Sequence, residues 1–304
     1  MDGILNINKP EGMTSFGVVA IVRKLSGVKR VGHAGTLDPA ASGVLPVGIG
    51  QGTRVIEFLV NTTKTYRAEI ELGIATDTYD ASGRVTQQKA PAGISREQFE
   101  SALNSFRGAI QQIPPMYSAV KYHGQPLYKL ARSGIAVERK SRRAEVYRLE
   151  ITDWQLPVAT VEVECSKGTY IRSIAHDLGQ LLGCGAHLKS LVRIRCGTFN
   201  IGDAISMSQI EDAFRHGYWQ HFVYPLDSVL LNWGAIVVGS AVETALKNGS
   251  SVVLGNDSGG QGRRLEVQPP AENYYRAYTS DGRLLGVLRF NVETGRWQPE
   301  KVFL

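Results

Sequence analysis

The sequence predicts an α+β protein that ends in a small β-rich module. Residues 65–72 and 158–165 alternate apolar and polar side chains, which predicts antiparallel strands with one solvated face. Amphipathic helix patterns are interspersed with these strands, whereas residues 232–304 change to short strands and Gly-rich loops. We therefore expect a mixed, mainly antiparallel sheet flanked by helices over residues 1–230, followed by a second domain over 231–304.

Length and composition agree with two soluble domains. The chain has 304 residues, of which 43 % are hydrophobic, enough for a packed core. Its sequence has no apolar run long enough to cross a bilayer and no charged-then-apolar leader, so we expect a cytoplasmic protein. The three cysteines are odd in number and widely spaced, which favours reduced, buried thiols over disulfides or a zinc site.

The N-terminal third begins with a strand at 3–8 and a turn at Lys9-Pro10-Glu11-Gly12. Ser15 is the expected N-cap of the first helix, and Gly27 is its expected end. A second helix is expected over 52–60, since Val55, Ile56 and Leu59 lie on one helical face.

Further elements follow from capping and turn signals. Ser95 with Gln98 predicts a capping box at the start of a helix over 95–106, and the prolines after Gln112 exclude regular structure there. Thr169 is the expected N-cap of another helix, Ser206 begins a further one, and Asp281-Gly282 predicts a β-hairpin turn. Residues 142–153 have a strand-like pattern, and residues 188–199 carry basic side chains between apolar ones. The composition of 256–260 predicts a Gly-rich loop.

The stretch 32–46, Gly-His-Ala-Gly-Thr-Leu-Asp-Pro-Ala-Ala-Ser-Gly-Val-Leu-Pro, is the most informative part of the chain. Its glycines permit conformations and close approaches that a Cβ resists, which predicts a shaped loop. Asp38 is the one residue in the stretch that can act as an anionic nucleophile, and Pro39 holds it in an extended corner. By chemistry alone His33 is a general-base candidate.

This stretch closely resembles the catalytic motif of the TruB family of pseudouridine synthases. Residues 64–68, 75–83, 112–121 and Gly-Thr-Tyr-Ile-Arg-Ser at 168–173 are also similar to that family. The resemblance implies a pseudouridine synthase fold and isomerisation of uridine 55 in the T-loop of tRNA. It further implies a PUA-like β-barrel at 231–304 and an RNA-binding insertion around 75–140. We expect no metal, no cofactor, no membrane and no obligatory protein partner, and a monomer.

The resemblance also implies the roles of the site residues. Asp38 is the catalytic carboxylate, Tyr66 stacks on the flipped base, Tyr170 lies beside the base as a candidate for the final C5 proton, and Arg172 pairs with Asp38. The residues alone leave open whether Asp38 attacks the sugar C1′, attacks the base C6 or abstracts a sugar proton. No catalytic role is implied for His33, which we expect to contact RNA and order the loop.

Charge predicts where RNA binds. The net charge is +6, and residues 129–148 hold seven basic side chains against two acidic ones, a candidate strip for phosphates or else a solvated face. Aromatic and basic residues interleave after Gln112, as in proteins that bind RNA loops. The residues expected to contact RNA are Lys9, His33, Lys64, Tyr117, Lys121, Arg132, Arg142, Arg143, Leu191 and Arg193.

Two alternative functions and one alternative site remain at this stage. A tRNA-folding chaperone would need the same basic surface without catalysis, and a guide-RNA-dependent relative would not need the insertion at 114–134. Asp77 and Asp80 could form a turn or bind a metal, and we favour the turn because no third ligand has suitable spacing. A dehydrogenase or NTPase is excluded, since no Gly-rich nucleotide-binding motif follows a strand.

Overall fold

A computed structural model of the chain describes residues 2–254 and 274–303. Its α-helices in that part are α1 (Ser15–Ser26), α2 (Gly52–Val60), α3 (Arg96–Asn104), α4 (Leu127–Arg132), α5 (Ile171–Leu181), α6 (Met207–His216) and α7 (Ser240–Lys247). None of the helices in these two described ranges is long and apolar enough to cross a membrane.

The strands of the described residues are, in chain order, β1 (Gly3–Lys9), β2 (Val31–His33), β3 (Ala41–Ile49), β4 (Lys64–Leu72), β5 (Ile74–Thr76), β6 (Val85–Gln88), β7 (Gly108–Gln112), β8 (Lys121–Tyr122), β9 (Gln125–Pro126), β10 (Arg142–Gln155), β11 (Val158–Cys165), β12 (Ala186–Cys196), β13 (Phe199–Asn200), β14 (Ile205–Ser206), β15 (Val223–Tyr224), β16 (Gly234–Val237), β17 (Tyr274–Tyr278), β18 (Leu284–Asn291) and β19 (Arg296–Val302).

One large sheet organises the first 230 residues. Its main path in the described structure runs β14-β1-β3-β12-β4-β11-β10-β7, with β2, β13 and β15 attached to β3, β12 and β1. The β1–β14 and β3–β12 pairs are parallel, and the other pairs of this sheet are antiparallel. The predicted α+β architecture with a mixed, mainly antiparallel sheet is confirmed.

The alternation in β4 places its apolar side chains in the main core. Ala68, Ile70 and Leu72 are buried and pack in one cluster with residues of α3 and α5, such as Phe99 and Leu178. Because successive side chains of a strand point to opposite faces, the intervening polar residues lie on the other face of the sheet. Helices α1 and α6 cover a second cluster that includes Leu5, Leu45 and Ile210.

Two helix starts differ from the sequence prediction. Thr14, not Ser15, caps α1, since its Oγ1 accepts a 2.9 Å hydrogen bond from the Gly17 N–H. The N-cap of α5 is Tyr170 instead of Thr169, whose hydroxyl donates to the carbonyl of Ser166. In both places the predicted cap residue makes a different contact, tertiary or within a turn, that the local sequence does not reveal.

The other capping and turn predictions gave mixed results. The capping box at Ser95 and the helix start at Ser206 are both confirmed, and Ser206 also forms a capping box with Gln209. The segment 73–83 is rich in Thr, Asp and Gly, a composition that predicts an irregular connection. It instead begins with β5, which pairs with β6 in a two-stranded sheet.

The C-terminal segment forms a four-stranded sheet in the order β16-β17-β18-β19. The predicted hairpin at Asp281-Gly282 is confirmed as the β17–β18 turn. The predicted barrel is not confirmed, because β16 and β19 do not pair within residues 2–254 and 274–303, and the Gly-rich loop 256–260 lies outside those ranges. This sheet contacts α2, where the Arg54 Nη1 donates to the carbonyl of Val302 at 2.6 Å.

Candidate active site

Two backbone anchors hold the loop on either side of Asp38. The buried Ser15 Oγ accepts a hydrogen bond from the N–H of Leu37 at 2.9 Å and donates to the carbonyl of the same residue at 3.1 Å. On the other side the Gly12 N–H donates to the Pro39 carbonyl at 2.8 Å. Asp38 therefore lies between two residues whose backbone is fixed to the start of α1 and to the turn before it.

Arg193, on β12, contacts the same loop. It is only 1 % exposed, and its guanidinium donates to the carbonyls of Val44 at 2.7 Å and Gly35 at 3.3 Å. Its own backbone approaches Gly43 so closely that a Cβ at residue 43 would lie 2.3 Å from the Arg193 carbonyl oxygen. Gly43 also has a φ of 104°, so β3 and β12 can pair here only with glycine at that position.

Arg172 is the centre of the charged network. Its side chain is 6 % exposed, and its Nη2 lies 2.8 Å from Asp38 Oδ2, the pair that the resemblance implies. Its Nη1 lies 3.3 Å from Asp80 Oδ2, and its Nη2 also donates to the carbonyl of Tyr117 at 2.9 Å. Its Nη1 also donates to the carbonyl of Thr78 at 3.4 Å, so two carboxylates and two carbonyls from three separate segments meet at one guanidinium.

Asp80 is held firmly enough to orient that guanidinium. Its Oδ1 accepts hydrogen bonds from the hydroxyl of Thr78 at 2.7 Å and from the hydroxyl and N–H of Ser82 at 2.6 and 3.1 Å. These bonds leave its Oδ2 to face Arg172. The acidic turn thus binds an arginine, and no group of three or more potential metal ligands lies within residues 2–254 and 274–303.

Asp38 lies at a cleft of about 210 Å³, lined by Glu11, Asp38, Ala40, Ala41, Asp80, Ala81, Ser82, Arg172, Leu188, Lys189, Ser190 and Leu191. Its side chain is 42 % exposed towards this cleft. Burial raises the pKa of Asp38 above its usual value, Arg172 opposes that rise, and the Asp80 charge adds to it. Leu191, which is among the residues expected to contact RNA, lies in the wall of the same cleft.

The two candidate tyrosines lie on different elements. Tyr66 pairs in register with Arg193 across β4 and β12, and burial raises its pKa to about 12. Tyr170 lies at the start of α5, where the amide of Gln112 bonds both its N–H at 3.0 Å and its carbonyl at 3.2 Å. Burial also raises the pKa of Tyr170, so both side chains keep their phenolic protons at neutral pH.

Comparison with known proteins gives the family. Residues 23–171 match the model for the N-terminal domain of TruB family pseudouridylate synthases, and residues 172–231 match the C-terminal domain of tRNA pseudouridylate synthase B. The tRNA pseudouridine synthase B of Dehalococcoides mccartyi strain CBDB1 is 45 % identical over 304 residues, or 100 % of this chain and 97 % of the relative. The chain belongs to the TruB family. The enzyme of the same name from Clostridium tetani is 41 % identical over 281 residues, or 92 % of this chain and 93 % of that one.

Solved structures agree with a TruB family fold. A chain from the crystal structure of a Cbf5–Nop10–Gar1 complex superimposes with a TM-score of 0.76 at 25 % identity. The match covers 99 % of this chain and 85 % of the other. The described part of this TruB family member therefore has the pseudouridine synthase fold, with its mixed sheet and flanking helices in the first 230 residues.

The basic residues expected to contact RNA fall into two groups. Lys121, Arg132, Arg142 and Arg143 reach the surface, as binding to phosphates requires. Their neighbour Tyr117 is half-buried, as is His33 on β2, whose Nδ1 has no hydrogen-bond partner among the described residues. Burial and the nearby charge of Arg193 lower the pKa of His33, so its imidazole is neutral at neutral pH.

Lys9, Lys64 and Arg193 form the second group and lie inside the protein. The Lys9 Nζ donates to the carbonyls of Pro10 at 2.8 Å, Met13 at 2.6 Å and Pro39 at 3.3 Å. The Lys64 Nζ donates to three carbonyls at the C-terminal end of α2, between 2.6 and 2.9 Å. These cations already bond backbone carbonyls, which gives each of them a structural role, and their direct contact with RNA stays a prediction.

Sequence reasoning missed the positioning residues of this site. Asp80 was assigned to a turn, Gln112 to an irregular segment and Ser15 to a helix cap. The spacing of two acids in a Thr-, Ser- and Gly-rich turn was a signal that a carboxylate is presented there, but its partner Arg172 is distant in sequence. Lys189 and Glu11 were also missed, and both line the cleft.

Proposed function

We propose that this TruB family protein converts uridine 55 in the T-loop of tRNA to pseudouridine, with Asp38 as the essential carboxylate. The observation that carries the proposal is the Arg172 guanidinium, which is buried against Asp38 at the edge of an open cleft. The names of relatives that match over nearly the full chain support tRNA as the substrate.

The reaction is an isomerisation. The bond between the sugar C1′ and the base N1 breaks, the detached uracil rotates, a C1′–C5 bond forms, the proton on C5 leaves, and N1 gains a proton. Atoms and electrons balance without an oxidant or a second substrate. Each way of starting it, by attack on C1′, by attack on C6 or by removal of a sugar proton, needs an ionised carboxylate. Arg172 favours that ionised form of Asp38, against the burial that opposes it.

The remaining site residues complete the proposal. Tyr66 offers a rigid aromatic face to the extruded base. Tyr170, whose backbone Gln112 fixes, is the candidate to accept the C5 proton on its phenolic oxygen as the phenol passes its own proton to solvent. Leu191 supplies an apolar wall to the cleft. His33 orders the loop and contacts RNA with a neutral ring.

The RNA-binding surface is assigned to the surface members of the basic set. Lys121, Arg132, Arg142 and Arg143 lie on the insertion around 75–140 or on the strand that follows it. Tyr117 joins them as an aromatic contact at the base of this segment. Together they would bind phosphates and bases of the T-stem and loop.

We further propose that residues 1–230 form the catalytic domain and that 231–304 form a PUA-like module that contacts RNA. The separate four-stranded sheet at the C-terminus supports this division. We also propose that the enzyme acts as a cytoplasmic monomer without an obligatory protein partner. Its own insertion supports independence, because Ser173 and Arg172 bind the carbonyls of Ile113 and Tyr117 and so hold the base of that segment against α5.

The deciding experiment is tritium release from C5-labelled uridine in an unmodified tRNA transcript. The wild-type protein should release one tritium per tRNA, from position 55, and Asp38→Asn should release none while it still binds the transcript. Release from another uridine would correct the substrate site. Binding without release by either protein would favour a tRNA chaperone, and activity only with an added guide RNA would favour the guide-dependent relative.

A further inference from the structure

The residue before Asp80 has an unusual backbone. Tyr79 has a φ of 66°, and within residues 2–254 and 274–303 only His123 shares a positive φ among residues other than glycine. A bulky side chain is strained in this region, so other contacts must hold it there. In this conformation the carbonyl of Tyr79 accepts a 3.0 Å hydrogen bond from the N–H of Leu188, and the next residue, Asp80, makes a parallel bridge to the same leucine.

An aromatic stack holds Tyr79 in place. Its ring lies 3.8 Å from the imidazole of His176, measured between centroids, with 17° between the two planes. The Nδ1 of His176 is buried and has no hydrogen-bond partner among the described residues, so stacking is the contact that the structure gives this ring. Burial lowers the pKa of His176, which keeps the stacked imidazole neutral at neutral pH.

His176 and Arg172 lie one turn apart on α5. Residues separated by four along a helix share a face. Two consecutive residues of the acidic turn therefore contact this face at two points, Tyr79 on His176 and Asp80 on Arg172. The distance of 3.3 Å between Asp80 Oδ2 and Arg172 Nη1 depends on where the turn lies along the helix. The stack is the contact that joins the turn to α5 beside Asp80, while backbone hydrogen bonds of Tyr79 and Ala81 join the turn to Leu188.

We propose that the Tyr79–His176 stack is a positioning element that sets Asp80 against Arg172, and through Arg172 sets the guanidinium at Asp38. The inference rests on the proposed role of Asp38. Tyr79 and His176 are given no contact with the base or the sugar in this scheme, because they act through Asp80 and Arg172. Their effect is therefore on the rate of the bound complex and not on tRNA affinity.

The test is single-turnover tritium release with saturating enzyme, with tRNA affinity measured by filter binding and stability by thermal unfolding. Tyr79→Ala and His176→Ala should each slow release about tenfold, a typical effect of removing one aromatic pair that holds a reactive geometry. Affinity should stay within about twofold. Tyr79→Phe and His176→Phe keep a stacked ring and should keep the wild-type rate.

Two comparisons separate positioning from general loss of stability. Tyr79→Gly should be faster than Tyr79→Ala, because glycine adopts a positive φ without strain. Adding Tyr79→Ala to Asp80→Asn should slow release no further, because the group that the stack positions has already lost its charge. The matched control is Phe214→Ala, which removes another stacked pair, Phe214 on Trp219, and should lower the melting temperature without slowing release.

The outcomes distinguish this inference from the proposed function. If wild-type protein releases no tritium, the proposed function fails first. If wild type is active and both alanine variants release tritium at its rate, the positioning role is wrong. It is also wrong if the Tyr79→Ala and Asp80→Asn effects multiply, or if Phe214→Ala slows release equally. Should Tyr79→Ala not fold, the rates of His176→Ala and His176→Phe decide between the same two outcomes.

Discussion

Replacing Arg172 by alanine should separate catalysis from binding. The change removes a guanidinium that is 6 % exposed and lies 2.8 Å from Asp38, and it leaves two carboxylates facing one cleft without the cation between them. Breaking a fully buried ion pair costs about 3–5 kcal/mol. Asp38 is 42 % exposed, so solvent screens part of the interaction, and we expect a loss nearer to about 2–3 kcal/mol.

That loss corresponds to a fall in the single-turnover rate of about 30- to 150-fold. The affinity for tRNA should change little, because Arg172 is buried beneath the loop instead of facing RNA. The assay is tritium release under saturating enzyme, with affinity measured in parallel by filter binding. Arg195→Ala is a matched control, since it breaks another arginine–carboxylate pair, 2.9 Å from Glu164, away from the cleft.

The pH dependence of the rate gives a second, independent readout. The rate requires ionised Asp38, so it rises with pH through the pKa of this group. Burial already raises that pKa, and Arg172 is the largest influence that lowers it. Arg172→Ala should therefore move the acid limb to higher pH. Asp80→Asn removes a charge that raises the pKa of Asp38, so it should move the limb to lower pH even though the maximal rate falls.

Two outcomes would refute this reasoning. Equal losses in rate and in tRNA affinity would mean that Arg172 supports RNA binding and not the charge of Asp38. An acid limb that stays in place in Arg172→Ala would mean that another group sets the pH dependence. Arg172→Lys adds a check on geometry, because lysine keeps the charge but lacks the planar fork that contacts two carboxylates.

Three further predictions follow from the other residues of the site. Arg142→Ala with Arg143→Ala should weaken tRNA binding and flatten its dependence on salt, since the slope falls by about one for each phosphate that the protein no longer neutralises; an unchanged slope would place the phosphate strip elsewhere. Lys64→Met should lower the melting temperature by about 5 °C, because three carbonyls at the end of α2 lose their donor, and tRNA affinity should not change. An unchanged melting temperature with weaker tRNA binding would instead support a direct contact between Lys64 and RNA. Gly43→Ala should destabilise the fold by about 3 kcal/mol in urea unfolding, since its Cβ would meet the carbonyl of Arg193; a stability equal to that of the wild type would show that β3 can shift freely.

Local patterns predicted much of this molecule. The alternation in residues 65–72, the capping box at Ser95, the helix start at Ser206 and the turn at Asp281-Gly282 all depend on neighbours in sequence, and all are found in the structure. The long motif around Asp38 placed the candidate site before any fold was known. These features share one property, which is that their physical cause lies within a few residues.

Features that depend on distant contacts could not be predicted in the same way. Lysine is usually a surface residue, and only the folded chain brings backbone carbonyls around the ammonium groups of Lys9 and Lys64. Ser15 has the sequence pattern of a helix cap, but in the fold its hydroxyl accepts a hydrogen bond from the backbone N–H of Leu37. Closure of the C-terminal sheet into the expected barrel would likewise require pairing between strands that are far apart in sequence, which no local turn signal specifies.

The shared donor Nη2 of Arg172 has one thermodynamic consequence. This atom binds the carboxylate of Asp38 and the carbonyl of Tyr117 at the base of the insertion, so the ionisation of one and the position of the other are linked. Such linkage is reciprocal: the free energy by which docking of the segment changes the ionisation of Asp38 equals the free energy by which that ionisation changes docking. A tRNA that displaces Tyr117 from α5 therefore changes the proton affinity of the group that acts on it.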